Sequence, residues 1–229
     1  MTPVLEAERL SFGFGSRPVF RDISLRLTAG ERVGLVGANG AGKSTLLWCL
    51  LGLLRPKGTV RLFGAPPSPA ALARVGVVFQ NPEDQLFMPC LLEDLTLGLL
   101  NRRMPREEAR RRALAALGEV GLEEYGGAPA AHLSLGQRKR ASLALALAPE
   151  PELLVLDEPT AELDGRSVRR LAGLLRRLPG AHLVASHHLE FLRETADRLV
   201  VLGEGTVLAA GPASEILADR PLLEGAGLI

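Results

Sequence analysis

The stretch GANGAGKST, comprising Gly37, Ala38, Asn39, Gly40, Ala41, Gly42, Lys43, Ser44 and Thr45, carries the strongest chemistry in the chain. It fits G-x-x-x-x-G-K-[ST] and stands between the strand-like RVGLV and the helix-like LLWCLLGLL, the setting in which such a loop holds phosphate. Glycines let successive backbone N–H groups turn inward around phosphate oxygens, and the start of a helix adds partial positive charge. Lys43 would hold the β- and γ-phosphates of a nucleoside triphosphate, and the Ser44 hydroxyl would bind Mg²⁺. A second site must complete the metal shell and activate water, and LLVLDEP at 153–159 offers one. Its apolar residues make a buried strand, so the first acid lies at the carboxyl end, where open α/β sheets bind ligands. Asp157 is placed for the Mg²⁺ shell, and Glu158 for orienting or deprotonating the attacking water.

These residues need a sheet to carry them. The first sixty residues alternate short β-like runs (VLEAERLSF, SLRLTAG, RVGLVG, GTVRLFG) with Gly and Pro, which predicts a mostly antiparallel β layer. From Val75 onward short continuous apolar runs (GVVF, LLVL, HLVAS, LVVL) are separated by helical stretches, the pattern of buried parallel strands with crossover helices. Helices are expected over 106–117, 137–148 and 165–178, and APPSPA at 65–70 reads as a loop. The arginine-rich NRRMPREEARRR reads as a solvated helix face. The expected architecture is α/β: a parallel core sheet, an N-terminal antiparallel β layer and a helical segment over about 81–150, all within one domain, 1–229.

Composition removes other classes. With 229 residues, 47% of them hydrophobic, the chain can bury a sizeable core, and its net charge of +1 argues against nucleic acid as a partner. The longest apolar run, TLLWCLLGLL, falls short of the roughly 20 residues that span a bilayer, so any membrane role is expected to go through a partner. The N-terminus lacks a basic and apolar leader, which predicts a cytoplasmic chain. Cys49 and Cys90 fit no metal spacing and are expected to act as small apolar residues.

Three more strings, taken with those two, resemble the ATP-binding-cassette ATPases. LSLGQRKR (133–140) resembles the LSGGQ signature and shortly precedes LLVLDEP, as in that family. TAELD (160–164) resembles its D-loop, and VASHH (184–188) its switch-histidine segment. The resemblance runs from Phe14 to His188, and the tail is similar to the family's closing strands. It implies a P-loop NTPase fold, ATP and Mg²⁺ as cofactors, and a helical subdomain that carries the signature. Ser134 and Gly136 stand where a helix begins, so a hydroxyl and free N–H groups make a second anion site. In the family this site, with Gln137, meets the γ-phosphate of ATP held by the opposite subunit, which implies a head-to-tail dimer of identical chains or close paralogues. His187 matches the switch histidine that contacts the γ-phosphate and supports the attacking water. Phe14 matches the aromatic that stacks on adenine, with Phe12 as its competitor. Gln80, ending the run GVVF, matches the Q-loop glutamine whose amide reaches Mg²⁺ and water. The chain departs from the family at Leu135, usually glycine, and at His188, usually aspartate; these bear on the sandwiched ATP and on hydrogen bonding to the neighbouring D-loop.

Relatives with inserted coiled coils do not fit, since only about ninety residues without heptads separate the phosphate loop from the signature. Translation-associated relatives carry two cassettes per chain. A guanine-specific N-K-x-D motif is missing. The stretch FQNPEDQLF (79–87) is similar to the form found in energy-coupling-factor ATPases, the cobalt, nickel and vitamin importers. That resemblance implies a transmembrane coupling subunit, a small substrate-binding membrane subunit and a peripheral place on the cytoplasmic side of the membrane. Asn81 to Phe87 would face the membrane partner, with Leu86 and Phe87 as apolar anchors. The short end after ASEILADRPLLEGAGLI favours a cobalt, nickel or biotin system with two identical ATPases. The alternative is the ATPase subunit of a conventional importer or exporter.

Overall fold

Two sheets divide the strands according to how many of their faces are covered. In the computed structural model, which describes residues 3–229, β1 (Pro3–Phe14) pairs antiparallel with β2 (Arg17–Thr28) on one side and β4 (Lys57–Leu62) on the other. From Ile23 to Leu27, β2 alternates buried and exposed residues, so this sheet turns one face to the core and one to water. The strand β3 (Arg32–Val36) does not join that layer, contrary to the sequence-based grouping. It lies in the second sheet between β7 (Ala181–Ser186) and β8 (Arg198–Gly203), parallel to both. The reason is its lack of alternation: Val33 to Val36 are all buried, as befits a strand covered on both faces.

The second sheet has the order β5 (Val75–Val78), β6 (Leu153–Asp157), β7, β3, β8, β9 (Thr206–Pro212). Only β9 runs antiparallel. Because β6, β7 and β3 are parallel neighbours, Asp157, Ser186 and Val36 end on one edge.

One face of this sheet packs against the antiparallel layer and against α1 (Lys43–Leu50), which buries Leu46, Leu47, Cys49 and Leu50. Each buried leucine contributes roughly 1.5–3 kcal/mol, so the helix that begins with Lys43 is firmly seated. After β4 comes a loop that ends sooner than expected. Pro69 opens the short α2 (Pro69–Leu72), with the Ser68 hydroxyl accepting from Ala71 N–H.

The other face carries the helices. Between β5 and β6 lie α3 (Leu91–Leu100), α4 (Arg106–Glu119) and α5 (Leu135–Leu147). Only small or apolar residues of α4, Ala109, Ala113, Ala116 and Leu117, are buried, while Glu108 pairs with Arg111 and Arg112 on its wet side. α5 starts two residues before its expected position because Ser134 and Gln137 form a capping box. α6 (Gly165–Leu175) follows β6 and α7 (Leu189–Thr195) follows β7; α8 (Ala213–Ala218) and α9 (Arg220–Gly225) close the chain. Cys49 is buried and burial pushes its thiol up to about 11; neither cysteine is bridged. Among the described residues no helix is long and apolar enough to cross a membrane.

Candidate nucleotide site

The loop at 37–45 turns from β3 into α1 through backbone that other residues resist. Gly42 sits at φ +93°, and a Cβ there would meet Val19 Cγ1 at 2.9 Å; a Cβ on Gly37 would fall 2.7 Å from Leu202 O. Ala41 N–H donates to Ala38 O, tightening the turn. Lys43, buried at the start of α1, donates from Nζ to Gly37 O at 2.8 Å and Ala38 O at 3.2 Å.

The acidic pair arrives on the same edge from β6. Glu158 takes a left-handed φ of +43°, its N–H donates to Ala185 O at 2.8 Å, and its carboxylate is thereby aimed back at the loop. Oε1 lies 3.0 Å from Lys43 Nζ as an ion pair without hydrogen-bond alignment, and Oε2 lies 3.0 Å from His187 Nδ1. His187 comes from the end of β7, the strand between β6 and β3. Asp157 is buried behind them. Burial raises its pKa above the usual carboxylate range, while the Ser44 hydroxyl and then the lysine charges pull the other way. Its Oδ1 has no hydrogen-bond partner. A buried carboxylate with an orphaned oxygen beside a serine hydroxyl suits a hard divalent cation that keeps waters and phosphate oxygens for its other positions. Among the described residues there is no cluster of three or more His, Cys, Asp or Glu that would cage a metal by itself.

Phe14, Asn39, Gly40, Gly42, Lys43, Ser44, Thr45, Gln80 and Glu158 line one cleft of about 660 Å³. Phe14 lines it while 54% exposed, and its ring lies perpendicular to that of Phe12 at a centroid distance of 5.1 Å. Phe12 is itself wedged towards Phe20 and does not line this cleft, which separates the two aromatic candidates. A second hollow of about 550 Å³ continues from Asn39, Gln80 and Glu158 to His187 and His188. The His188 ring stacks on Phe191 at 6.4 Å.

Residues 20–161 match the family described as ABC transporter. The chain belongs to the ABC transporter family. It is an ATP-binding ATPase of the kind that drives transport. The nickel import ATP-binding protein NikO of Rhodobacter capsulatus is 43% identical over 246 residues, covering 100% of this chain and 97% of its own length. The energy-coupling factor transporter ATP-binding protein EcfA2 of Methanospirillum hungatei is 36% identical over 239 residues, covering 100% of this chain and 60% of its own length. A solved structure, cbiO1 from Clostridium perfringens, described as part of the ABC transporter complex cbiONQ, matches with a TM-score of 0.85 and 31% identity over 100% of this chain and 96% of that one.

The residues expected to form the signature of this ABC ATPase lie elsewhere. Ser134, Gly136 and Gln137 line a separate hollow of about 360 Å³ with Asp164 and Ser167 at the start of α6, and none of them lines the phosphate-loop cleft. The Ser134 hydroxyl accepts from Gln137 N–H, and Gln137 Oε1 accepts from Ser134 N–H at 2.8 Å, so that side chain is committed to the cap.

Three residues that sequence reasoning passed over hold the site in place. Buried Gln85 donates from Nε2 to Val77 O and accepts at Oε1 from Phe79 N–H, both at 2.8 Å, closing the end of β5 one residue before Gln80. Buried Lys139 donates to Gln80 O at 3.1 Å and to Glu158 O at 3.3 Å. Burial pushes its pKa down, and Glu162, Glu158 and Asp157 push it back up. Buried Asp94 accepts from the N–H groups of Phe87 and Met88. The signal available for Gln85 and Asp94 was a polar residue beside apolar ones, which does not say what it bonds. The expected anchor pair splits: Leu86 is part of the core, whereas Phe87 is 72% exposed. Along 81–87 the outward residues are Asn81, Glu83, Asp84 and Phe87, and Pro82, Gln85 and Leu86 point inward.

Proposed function

We propose that this chain is the ATP-hydrolysing subunit of an energy-coupling-factor importer for cobalt, nickel or a vitamin. Two cassettes, identical or closely related, would work against a transmembrane coupling subunit and a substrate-binding membrane subunit on the cytoplasmic side of the membrane. The observation that carries this reading is Phe87: an exposed aromatic, clamped outward by Asp94, seven residues beyond Gln80 and within the stretch that resembles that group. The names of NikO, EcfA2 and the cbiONQ complex support the same reading.

The geometry is consistent with the residue roles that the resemblance implies. Phe14 stacks on adenine, and Lys43 leaves its loop carbonyls for the β- and γ-phosphates. Ser44, Asp157 and the Gln80 amide would hold Mg²⁺, which when bound neutralises charge on the phosphate oxygens. Glu158 takes the proton of the attacking water, and His187, already on Oε2, holds that carboxylate and the γ-phosphate in line. Ser134 and Gly136, with Gln137 completing the cap that holds them, would meet the ATP of a second cassette; that their hollow shares no lining residue with the chain's own phosphate cleft favours that use.

The test is isolation of the tagged chain from membranes of its own cells, followed by identification of what accompanies it and by nickel and cobalt uptake. Recovery of a coupling protein and a small membrane protein, lost on Phe87→Ser, is the expected result. Two large transmembrane subunits without a small binding protein would instead mark a conventional transporter. Recovery of no membrane protein would overturn both.

A further inference from the structure

Lys139 lies two residues beyond LSLGQ, and its ammonium meets two parts of the nucleotide site that are far apart in sequence. It donates to Gln80 O across 59 positions and to Glu158 O across 19. Gln80 is where the chain leaves the core sheet for the helical segment, and α5 is the helix that brings it back to β6. One side chain therefore ties the entrance of that segment, its returning helix and the backbone of the acidic pair. The far end of α5 is fixed as well: a Cβ on Gly76 of β5 would fall 2.5 Å from Ala146 O, so helix and strand lie hard against each other.

Packing does not explain this choice. A buried ammonium between two carbonyl oxygens carries a large desolvation cost that an apolar side chain would avoid; what an apolar side chain would lose is the pairing of those two carbonyls. What the ammonium adds is direction. Ser134 lies five residues before Lys139 on a rigid helix, about 7.5 Å along its axis. Any swing of the signature end of α5 shifts the ammonium against Gln80 O and Glu158 O.

We propose that Lys139 is a positioning residue for ATP hydrolysis, holding Glu158 and Gln80 in register with the signature helix so that the carboxylate and the amide are aligned only while α5 lies against the core sheet. This rests on the roles given above to Glu158 and Gln80. Lys139 does not line the phosphate-loop cleft; it acts on that cleft through the backbone of Gln80 and Glu158. A misplacement of about 1 Å at a reacting group is enough to slow the chemical step by about a hundredfold while leaving ground-state binding intact.

The experiment compares Lys139→Met, which keeps length and volume without a donor, with Lys139→Gln, which restores an N–H donor without the charge. Steady-state kcat and KM for ATP are measured on the full chain, ATP affinity by equilibrium dialysis, and Glu158→Gln is assayed beside them. The expected result is a kcat loss of about tenfold to a hundredfold in Lys139→Met, ATP affinity within about twofold of native, and partial recovery of kcat in Lys139→Gln. Native kcat in Lys139→Met overturns the proposal, as does a loss of affinity that matches the loss of rate. If Lys139→Met does not fold, Lys139→Gln decides alone: reduced kcat with native affinity supports the proposal, and equal loss of both overturns it. Native turnover in Glu158→Gln would remove the general-base assignment, a result separate from anything Lys139 does.

Discussion

Lys43 Nζ lies 3.0 Å from Glu158 Oε1, with both side chains almost wholly buried, at 5% and 7% exposed. The same ammonium is held by the carbonyls of Gly37 and Ala38. The lysine expected to hold phosphate is thus engaged with the carboxylate expected to activate water, and ATP must compete with that carboxylate for it. Breaking a buried pair from one side leaves an uncompensated charge, which is costly. Glu158→Gln is therefore expected to do three things together. ATP turnover falls by about a hundredfold or more, the ligand-free protein melts earlier, and ATP binds more tightly because Lys43 is released. Scanning calorimetry and equilibrium binding, with and without ATP, check all three; unchanged affinity would mean the ion pair does not compete with phosphate.

Gln85 substitutes for the strand that β5 lacks at its end. Its amide satisfies Val77 O and Phe79 N–H in one bidentate contact. Methionine would fill the same space without hydrogen bonds. Gln85→Met is expected to lower stability by about 2 kcal/mol through the unpaired backbone groups, seen as a lower urea midpoint at unchanged slope. Since Gln80 follows one residue after Phe79, kcat should fall as well, with ATP affinity retained. A native urea midpoint would count against the bidentate cap.

What could be read from the sequence was whatever is local. The loop at 37–45 and the run LLVLDEP are continuous strings whose chemistry follows from the order of residues, and parallel strands with ends on one edge bring them together. The placement of β3 was less legible, because RVGLV is too short for its neighbours in sequence to reveal whether one face or both are covered. The bonds of Lys139, Gln85 and Asp94 were not legible at all. Their partners are backbone atoms, which carry no residue-specific signal, and for Lys139 one of them lies 59 positions away. Leu86 and Phe87 show the same limit: adjacent apolar residues on a loop end in opposite environments, and the Asp94 bond that holds the backbone at Phe87 comes from a helix beyond the loop.

His182 sets an acid limit on stability. It lies inside β7, with Nε2 at 3.3 Å from Pro179 O and Nδ1 without a partner, and burial holds its pKa below the ordinary value of 6.5. The unfolded chain therefore binds a proton at higher pH than the folded one, so stability falls as pH drops through about 6.5. Replacement by leucine removes both the proton uptake and the orphaned nitrogen. His182→Leu is expected to flatten the fall in melting temperature between about pH 7 and pH 5, with little change above pH 7. An acid limb as steep as the native one would show that His182 is not its source.

Phe14 offers the cleft a half-exposed ring, steadied by perpendicular packing against Phe12. Stacking on a nucleobase contributes about 1–3 kcal/mol, so Phe14→Ala should weaken ATP binding by roughly tenfold to a hundredfold, while Phe14→Tyr keeps the ring and the affinity. Stacking is blind to the triphosphate, so inorganic tripolyphosphate should bind Phe14→Ala and the native protein equally. It is nearly blind to the identity of the purine as well, so GTP should compete with ATP to within about an order of magnitude. Phe12→Ala provides the contrast: Phe12 packs towards Phe20 outside the cleft, so its loss should lower the melting temperature more than it weakens ATP. Competition measurements with tripolyphosphate separate the outcomes. If Phe14→Ala lost tripolyphosphate and ATP affinity in equal measure, the ring would be supporting the phosphate loop and not holding the base.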